Sequence, residues 1–298
     1  MTIPFSNNNE REAFFLISSQ PVVGSLDGTS ATDKKMLTHA DNNKYIAVVN
    51  DGYRVVENHE ILIPLQNQMV KYFDQSVLED VQIKDVIGSN YRSSYSEYIF
   101  PRINREIGYS NGGKTTFGLR YIMKNTFDGS GSVVLYGGAI DFFCTNGTIV
   151  GEYDVTRRRH TRNFSVDGFM QAFDKSMERF NWTMDLYQKY ADTKIKKFDE
   201  IEKLFETLTG KPDGGENNRE SKRQSLSDKL VSQYASEAVE RGANVFSVMS
   251  AMTHYASHTD GFALRGKSDE TTLYKRQDRV TSWLNSKVWN DFVESVAA

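Results

Sequence analysis

Three regimes of hydrophobic patterning divide the chain. Residues 1–40 keep no period, and Gly24, Gly28 and clusters of Ser and Thr interrupt them, which predicts an irregular N-terminal arm. Tyr45-Ile46-Ala47-Val48-Val49 and Tyr53-Arg54-Val55-Val56 are β-rich runs on either side of Asn50-Asp51-Gly52, the signature of a hairpin with a primed turn. From Asn58 the apolar positions Ile61, Leu65, Met69, Tyr72 and Phe73 follow a helical period, and Pro64 places the regular start of that helix near itself.

The second regime alternates. Ile99, Ile103 and Ile107 fall on one face of Tyr98–Gly108, with Arg102, Asn104 and Glu106 on the other. Phe117, Leu119, Tyr121 and Met123 alternate with Gly118, Arg120, Ile122 and Lys124. Asp128-Gly129-Ser130-Gly131 is a turn, Val133 to Cys144 a strand with a bulge or bend at Gly137-Gly138, and Asn146-Gly147 turns into Thr148–Val155. This reads as an antiparallel meander with one apolar face and one polar, basic face. The third regime is helical: Val166, Phe169, Phe173, Met177, Phe180, Met184, Tyr187, Ala191, Ile195, Phe198, Ile201, Phe205 and Leu208 recur every three or four residues. Unbroken, that helix would exceed ~60 Å at about 1.5 Å per residue, so a break, a helical hairpin or an oligomer contact is expected. Residues 209–224 form a polar linker, and helices follow near Ser225–Arg241, Asn244–Ser257 and Thr272–Val296. The expected fold is α+β, a curved antiparallel sheet followed by a long helix and C-terminal helices. The expected organisation is an arm (1–40), a β-rich basic domain with one early helix (41–165) and a helical region (166–298).

Charge adds a direction to this pattern. Overall the chain is near neutral, with 36 Lys and Arg against 39 Asp and Glu. Residues 88–165 nevertheless carry ten basic and six acidic side chains, whereas 1–87 carry seven and twelve. A basic centre in an otherwise acidic chain is the footprint of a polyanionic partner. With 39% apolar residues the composition is that of a globular chain, and no stretch reaches the ~20 apolar residues of a membrane span. The lone Cys144 excludes an internal disulfide and a Cys-rich zinc site, and a cytoplasmic location is expected.

Several motifs invite chemistry. Gly108-Tyr109-Ser110-Asn111-Gly112-Gly113-Lys114-Thr115 has Walker A spacing, in which Lys114 would meet phosphates and Thr115 a magnesium ion. Its context disagrees, because a P-loop opens a helix whereas Thr115–Phe127 alternates like a strand. A nucleotide-binding enzyme using this segment is therefore an alternative rather than the leading reading. His254 and His258 stand four residues apart with Asp260 nearby, but a helical zinc site needs a third ligand, and helix-ending histidines explain the spacing. Asp141 lies among apolar strand residues and reads as a buried polar group. No catalytic residue, metal or cofactor is assigned.

The densest basic cluster is Arg157, Arg158, Arg159, His160 and Arg162, at the junction of the last strand with the long helix. There a polyanion would meet side chains that grip phosphate bidentately. With Arg92, Arg102, Arg105, Lys114, Arg120 and Lys124 these cations would neutralise phosphates, while Tyr91, Tyr98, Tyr109 and Tyr121 would offer stacking surfaces for bases.

Three stretches together resemble a known family: Tyr53-Arg54-Val55-Val56-Glu57-Asn58, then Asp141-Phe142-Phe143-Cys144-Thr145-Asn146-Gly147 leading to Arg159-His160-Thr161, then Asn244–His258. Their order and spacing are similar to those of the phage/plasmid-like protein family, domain of unknown function 932, over about residues 40–290. The resemblance implies a mobile-element setting inside a bacterium and no settled reaction. The expected function is single-stranded DNA binding, with RNA as the alternative strand, by a homo-oligomer in replication, protection or annealing. Host or phage replication proteins are further expected partners, and the competing class is a regulatory or anti-defence protein that binds a host protein.

Overall fold

The computed structural model describes residues 5, 7–23, 30–141, 156–210, 220–258 and 269–297. Among these, β1 (Ile17–Val23), β2 (Ser30–His39) and β3 (Tyr45–Asn50) form an antiparallel sheet in that order. Helices α1 (His59–Tyr72) and α2 (Gln75–Glu79) precede a second sheet. It is ordered β4 (Gln82–Ile87), β5 (Ser93–Gly108), β6 (Lys114–Thr126), β7 (Val133–Asp141) and β8 (Thr156–Arg158). Then come α3 (Asp167–Asp192), α4 (Asp199–Thr209), α5 (Glu220–Arg241), α6 (Val245–Ser257), α7 (Asp269–Leu284) and α8 (Lys287–Ala297). The fold is α+β.

Two compact units share these elements. The first comprises Met1–Ile103, Leu119–Gly137 and Tyr153–Met177; the second comprises Asn104–Gly118, Gly138–Glu152 and Glu178–Ala298. The division passes through β5, β6, β7 and α3.

In the first unit Phe15, Leu37, Ile46, Ala47, Val49 and Phe127 form a core under the smaller sheet. The strands of the larger sheet present Tyr98, Phe100 and Tyr121 to the helices: Phe73 of the α1 end packs on Phe100 and on Phe173 of α3, and Tyr121 lies 4.9 Å from Phe173. Gly137 permits this approach, because a Cβ there would sit 3.1 Å from Ser176 and 3.2 Å from the Tyr121 ring. Gly137 lies within β7, where the missing Cβ serves close packing.

In the second unit Phe117, Tyr187 and Phe246 pack edge to face at 5.2–6.0 Å. Helix α6 is buried almost all round, as a helix without a polar face must be. Asn244 caps it by accepting the Ser247 N–H at 2.9 Å.

Several expectations give way to specific physics. The N-terminal arm is largely structured: β1 and β2 lie within it, and Leu37 is fully buried. Ser18, Ser19 and Gln20 of β1 are exposed in succession, whereas Thr38 and His39 of β2 are buried beside Leu37. Helix α1 starts at His59, so Pro64 lies inside it and forfeits the one backbone bond that an N–H at that position would make to the Glu60 carbonyl. Glu60 completes the start, its carboxylate accepting the Glu57 N–H at 2.9 Å. The long helical pattern breaks between Asp192 and Asp199, where Ile195 donates to Ala243 C=O at 2.9 Å and Val245 to Thr193 C=O at 3.0 Å. The last helix divides between Leu284 and Lys287. Strand β6 is buried on both faces, so the expected open basic face is not present along it. The strand expected at Thr148–Val155, Cys144, Asp260 and most of the 209–224 linker lie outside the described residues.

Tyr53–Val56, expected as a strand of a hairpin, forms no strand and joins neither sheet. Buried backbone groups must still be paired. Here side chains do it: Val56 N–H donates to His160 Nδ1 at 3.3 Å, and Asn125 Nδ2 donates to Val56 C=O at 2.9 Å. Next in the chain, Asn58 donates to Ala13 C=O at 2.7 Å and accepts from Ser94 Oγ at 3.0 Å and from Asn125 Nδ2 at 2.9 Å. Asn58→Ala removes three buried bonds and strands their partners. Urea denaturation is expected to show a loss of about 3 kcal/mol, at about 1 kcal/mol per net bond.

Candidate nucleic-acid interface

The basic run emerges from the edge of the larger sheet. In β8, Arg158 pairs in register with Val133 and Arg157 with Val134. Arg157, Arg158, Arg159 and Arg162 are exposed, and none has a carboxylate partner among the described residues. The Arg158 guanidinium lies over Gly168, in the first turn of α3, where the helix end carries partial positive charge.

His160 is the exception within the run. It is 6% exposed, stacks on Tyr53 with centroids 5.0 Å apart, and accepts the Val56 N–H. Acceptance at Nδ1 assigns the proton to Nε2, which is buried without a hydrogen-bond partner in the structure. Burial holds the imidazole pKa down to about 4, against the opposing pull of the Arg54 backbone carbonyl and of Glu60, with the Arg54 guanidinium adding a smaller depression. His160 is therefore an anchor that fixes the surrounding arginines, and its ring is not a surface for nucleic acid.

The other expected cations are mostly spoken for. Arg102 pairs with Asp80, Arg105 with Asp185 at 2.5 Å, and Lys114 with Glu106 at 2.7 Å, all near the surface. Arg120 pairs with Glu97 inside the protein. Arg92 donates to Ile46 C=O at 3.2 Å, and the Lys124 ammonium lies 5.6 Å from the centre of the Tyr95 ring.

The tyrosines divide likewise. Tyr98 is fully buried and accepts bonds from Arg11 at 3.0 Å and Gln66 at 2.9 Å. Tyr121 is fully buried beside Ser176, and burial pushes both phenols up. Neither ring is a platform for a base. Tyr109 is partly buried against Phe246, and Tyr91 is partly buried in a turn.

Gly108–Thr115 is a hairpin turn. Tyr109 N–H donates to Gly113 C=O at 2.8 Å, Gly112 takes the left-handed conformation at φ 87°, and β6 follows directly. Thr115 is buried and its hydroxyl donates to Asp141 at 2.5 Å. The helix N-terminus that a P-loop supplies to phosphates is therefore missing at this loop.

The sequence reading did not reach the network that Thr115 belongs to. Arg241 donates to Asp141 at 3.2 Å, to Glu237 at 2.8 Å and to the Tyr109 hydroxyl, between the rings of Tyr109 and Phe246, each 5.6 Å from the guanidinium. Burial raises the Glu237 carboxyl pKa and Arg241 opposes it. Asp141 was visible as a polar residue in an apolar strand, whereas Arg241, 100 residues away, carried no local signal. His254 and His258 stack with centroids 4.1 Å apart, and no group of three His, Cys, Asp or Glu suited to a metal occurs among the described residues.

The chain belongs to the family described as domain of unknown function (DUF932), whose model matches residues 45–284. Comparison with curated proteins and with solved structures gives no match. No described helix is long and apolar enough to cross a membrane.

The His160 environment sets a pH dependence. The folded pKa near 4 lies below the ordinary 6.5, so the unfolded chain binds the proton more readily. The neutral ring's contribution is complete above the unfolded pKa and is lost as pH falls through the folded one. Stability is expected to drop by up to about 3 kcal/mol between pH 6.5 and 4 from this residue. His160→Gln, which keeps an acceptor but cannot titrate, is expected to flatten that part of a plot of urea midpoint against pH.

Proposed function

We propose that this protein binds nucleic acid, with single-stranded DNA as the preferred form, through phosphate contacts of Arg157, Arg158, Arg159 and Arg162. The observation that carries the reading is the concentration, in six residues, of exposed guanidinium groups with no carboxylate partner among the described residues, fixed from within by the buried His160. Elsewhere in the basic centre Arg102, Arg105, Lys114 and Arg120 each have a carboxylate neighbour. Charges without partners in the free protein are the ones that gain most from phosphate. The alternative role of arginines on an edge strand is to deter pairing with a second sheet, and the test below separates the two. A single strand can bend to follow closely spaced charges, and binding here rests on phosphates rather than on stacked bases. Exposed Trp182, Phe198 and Val239 on the helical elements support self-association, as strand binding along a lattice often requires. The proposed setting is the cytoplasm of a bacterial host, with the gene carried by a phage or plasmid.

Fluorescence anisotropy against an oligo-thymidine strand and against a duplex of equal length, over a salt series, tests this. The protein is expected to bind the strand more tightly than the duplex, with affinity falling steeply with salt. Replacing Arg157, Arg158, Arg159 and Arg162 by Ala is expected to weaken strand binding at least tenfold. Each lost phosphate contact should reduce the slope of log K against log salt by about 0.7. Equal affinity and equal slope for the protein and the variant would refute the assignment, and so would failure of the protein to bind either nucleic acid.

A further inference from the structure

An open cavity of about 500 Å³ lies in the first unit, beside the Phe15 core. Three of its lining residues form a ring cluster: Phe15 stacks on His39 with centroids 5.6 Å apart, and Tyr91 meets His39 edge-on at 4.4 Å. Two exposed carboxylates, Glu12 and Asp41, line it as well, and neither has an ion-pair partner among the described residues. Arg11 brings a positive charge to the lining, but Asp85 holds that guanidinium at 2.7 and 2.8 Å. The charge left over is negative.

The backbone is strained to place the Tyr91 ring there. Asn90 and Tyr91 are the two central residues of the turn from β4 to β5, at φ 56° and 58°, closed by Arg92 N–H donating to Ser89 C=O at 3.3 Å. Such a turn ordinarily carries Asn followed by Gly, because a side chain at the second position is crowded in the left-handed region. Tyrosine in place of that glycine supplies an aromatic ring at a conformational cost, and observed strain of this kind collects at binding sites. The ring also receives a cation: the Lys44 ammonium lies 5.7 Å from its centroid. Lys44 has no carboxylate partner among the described residues, so this contact is one a second cation can take over.

We infer that the cavity binds a small organic ammonium ion. Aromatic faces attract such a cation through their quadrupoles, most strongly where water is excluded, and unpaired carboxylates at the same cavity supply the compensating charge. A phosphate would be repelled by Glu12 and Asp41, so the site is independent of the nucleic-acid reading. A metal ion does not fit either, since no suitable group of three ligating side chains occurs among the described residues.

Isothermal titration of the full chain at low salt, with spermidine and with tetramethylammonium as probes, tests the site. Saturable one-to-one binding of both is expected. Replacing both exposed carboxylates (Glu12→Gln with Asp41→Asn) should weaken both probes at least tenfold, with an unchanged near-ultraviolet circular dichroism spectrum. Tyr91→Phe should retain tetramethylammonium binding and Tyr91→Leu should lose about tenfold. Lys44→Gln, which removes the resident cation without touching the core, should tighten binding about threefold. Absence of saturable binding overturns the proposal, as does equal affinity for the protein and the carboxylate double variant, which would mark ion exchange at the surface.

Discussion

The first unit depends on how the backbone of Val56 is paired. That residue lies outside both sheets, so no ladder satisfies its N–H and C=O. A ring from residue 160 and an amide from residue 125 take their place, at 3.3 and 2.9 Å. One residue thus ties together the segment before α1, the end of β6 and the loop before α3. Satisfied buried polar contacts of this kind favour one arrangement over its alternatives, because breaking any of them leaves its donor and acceptor buried without a partner. The consequence reaches the surface: the arginines on either side of His160 leave from a fixed point in the core and not from a free loop.

The cations of this chain differ by where their charge is balanced. In the second unit Arg241 is buried with Asp141 and Glu237, and its environment is a closed network. Taking one member away leaves charge unpaired in a dry interior, which costs far more than an exposed ion pair is worth. At the surface Arg102, Arg105 and Lys114 have neighbouring carboxylates, so a polyanion would first have to displace those. The 157–162 run has no such competition among the described residues. Local pairing, rather than the count of basic residues, therefore decides which part of the basic centre is available to a partner.

Much of the fold was legible because period and turn residues are local signals. The strands β5 and β6, the glycine turn at Gly112 and the break in the long helical pattern all follow from residues within a few positions of each other. What stayed hidden depends on partners distant in sequence. Arg120 alternates as an outward residue, yet Glu97 of the adjacent strand draws it inside. Tyr98 and Tyr121 fit the description of stacking platforms until α1 and α3 cover them. Of the expected site the arginine run was readable as composition, but the role of His160 within it was not, since its partner Val56 lies 104 residues upstream. Tyr91 was noticed as an aromatic, while its substitution for a turn glycine became visible only with the backbone angles.

Native-state hydrogen exchange at the Val56 amide examines this arrangement most directly. The account predicts that this amide, although outside both sheets, exchanges only through global unfolding, with a protection free energy close to that of the most protected amides of β6. Exchange at the rate of an open loop amide would contradict it, for then neither His160 nor the arginine run that it carries would be fastened to the core.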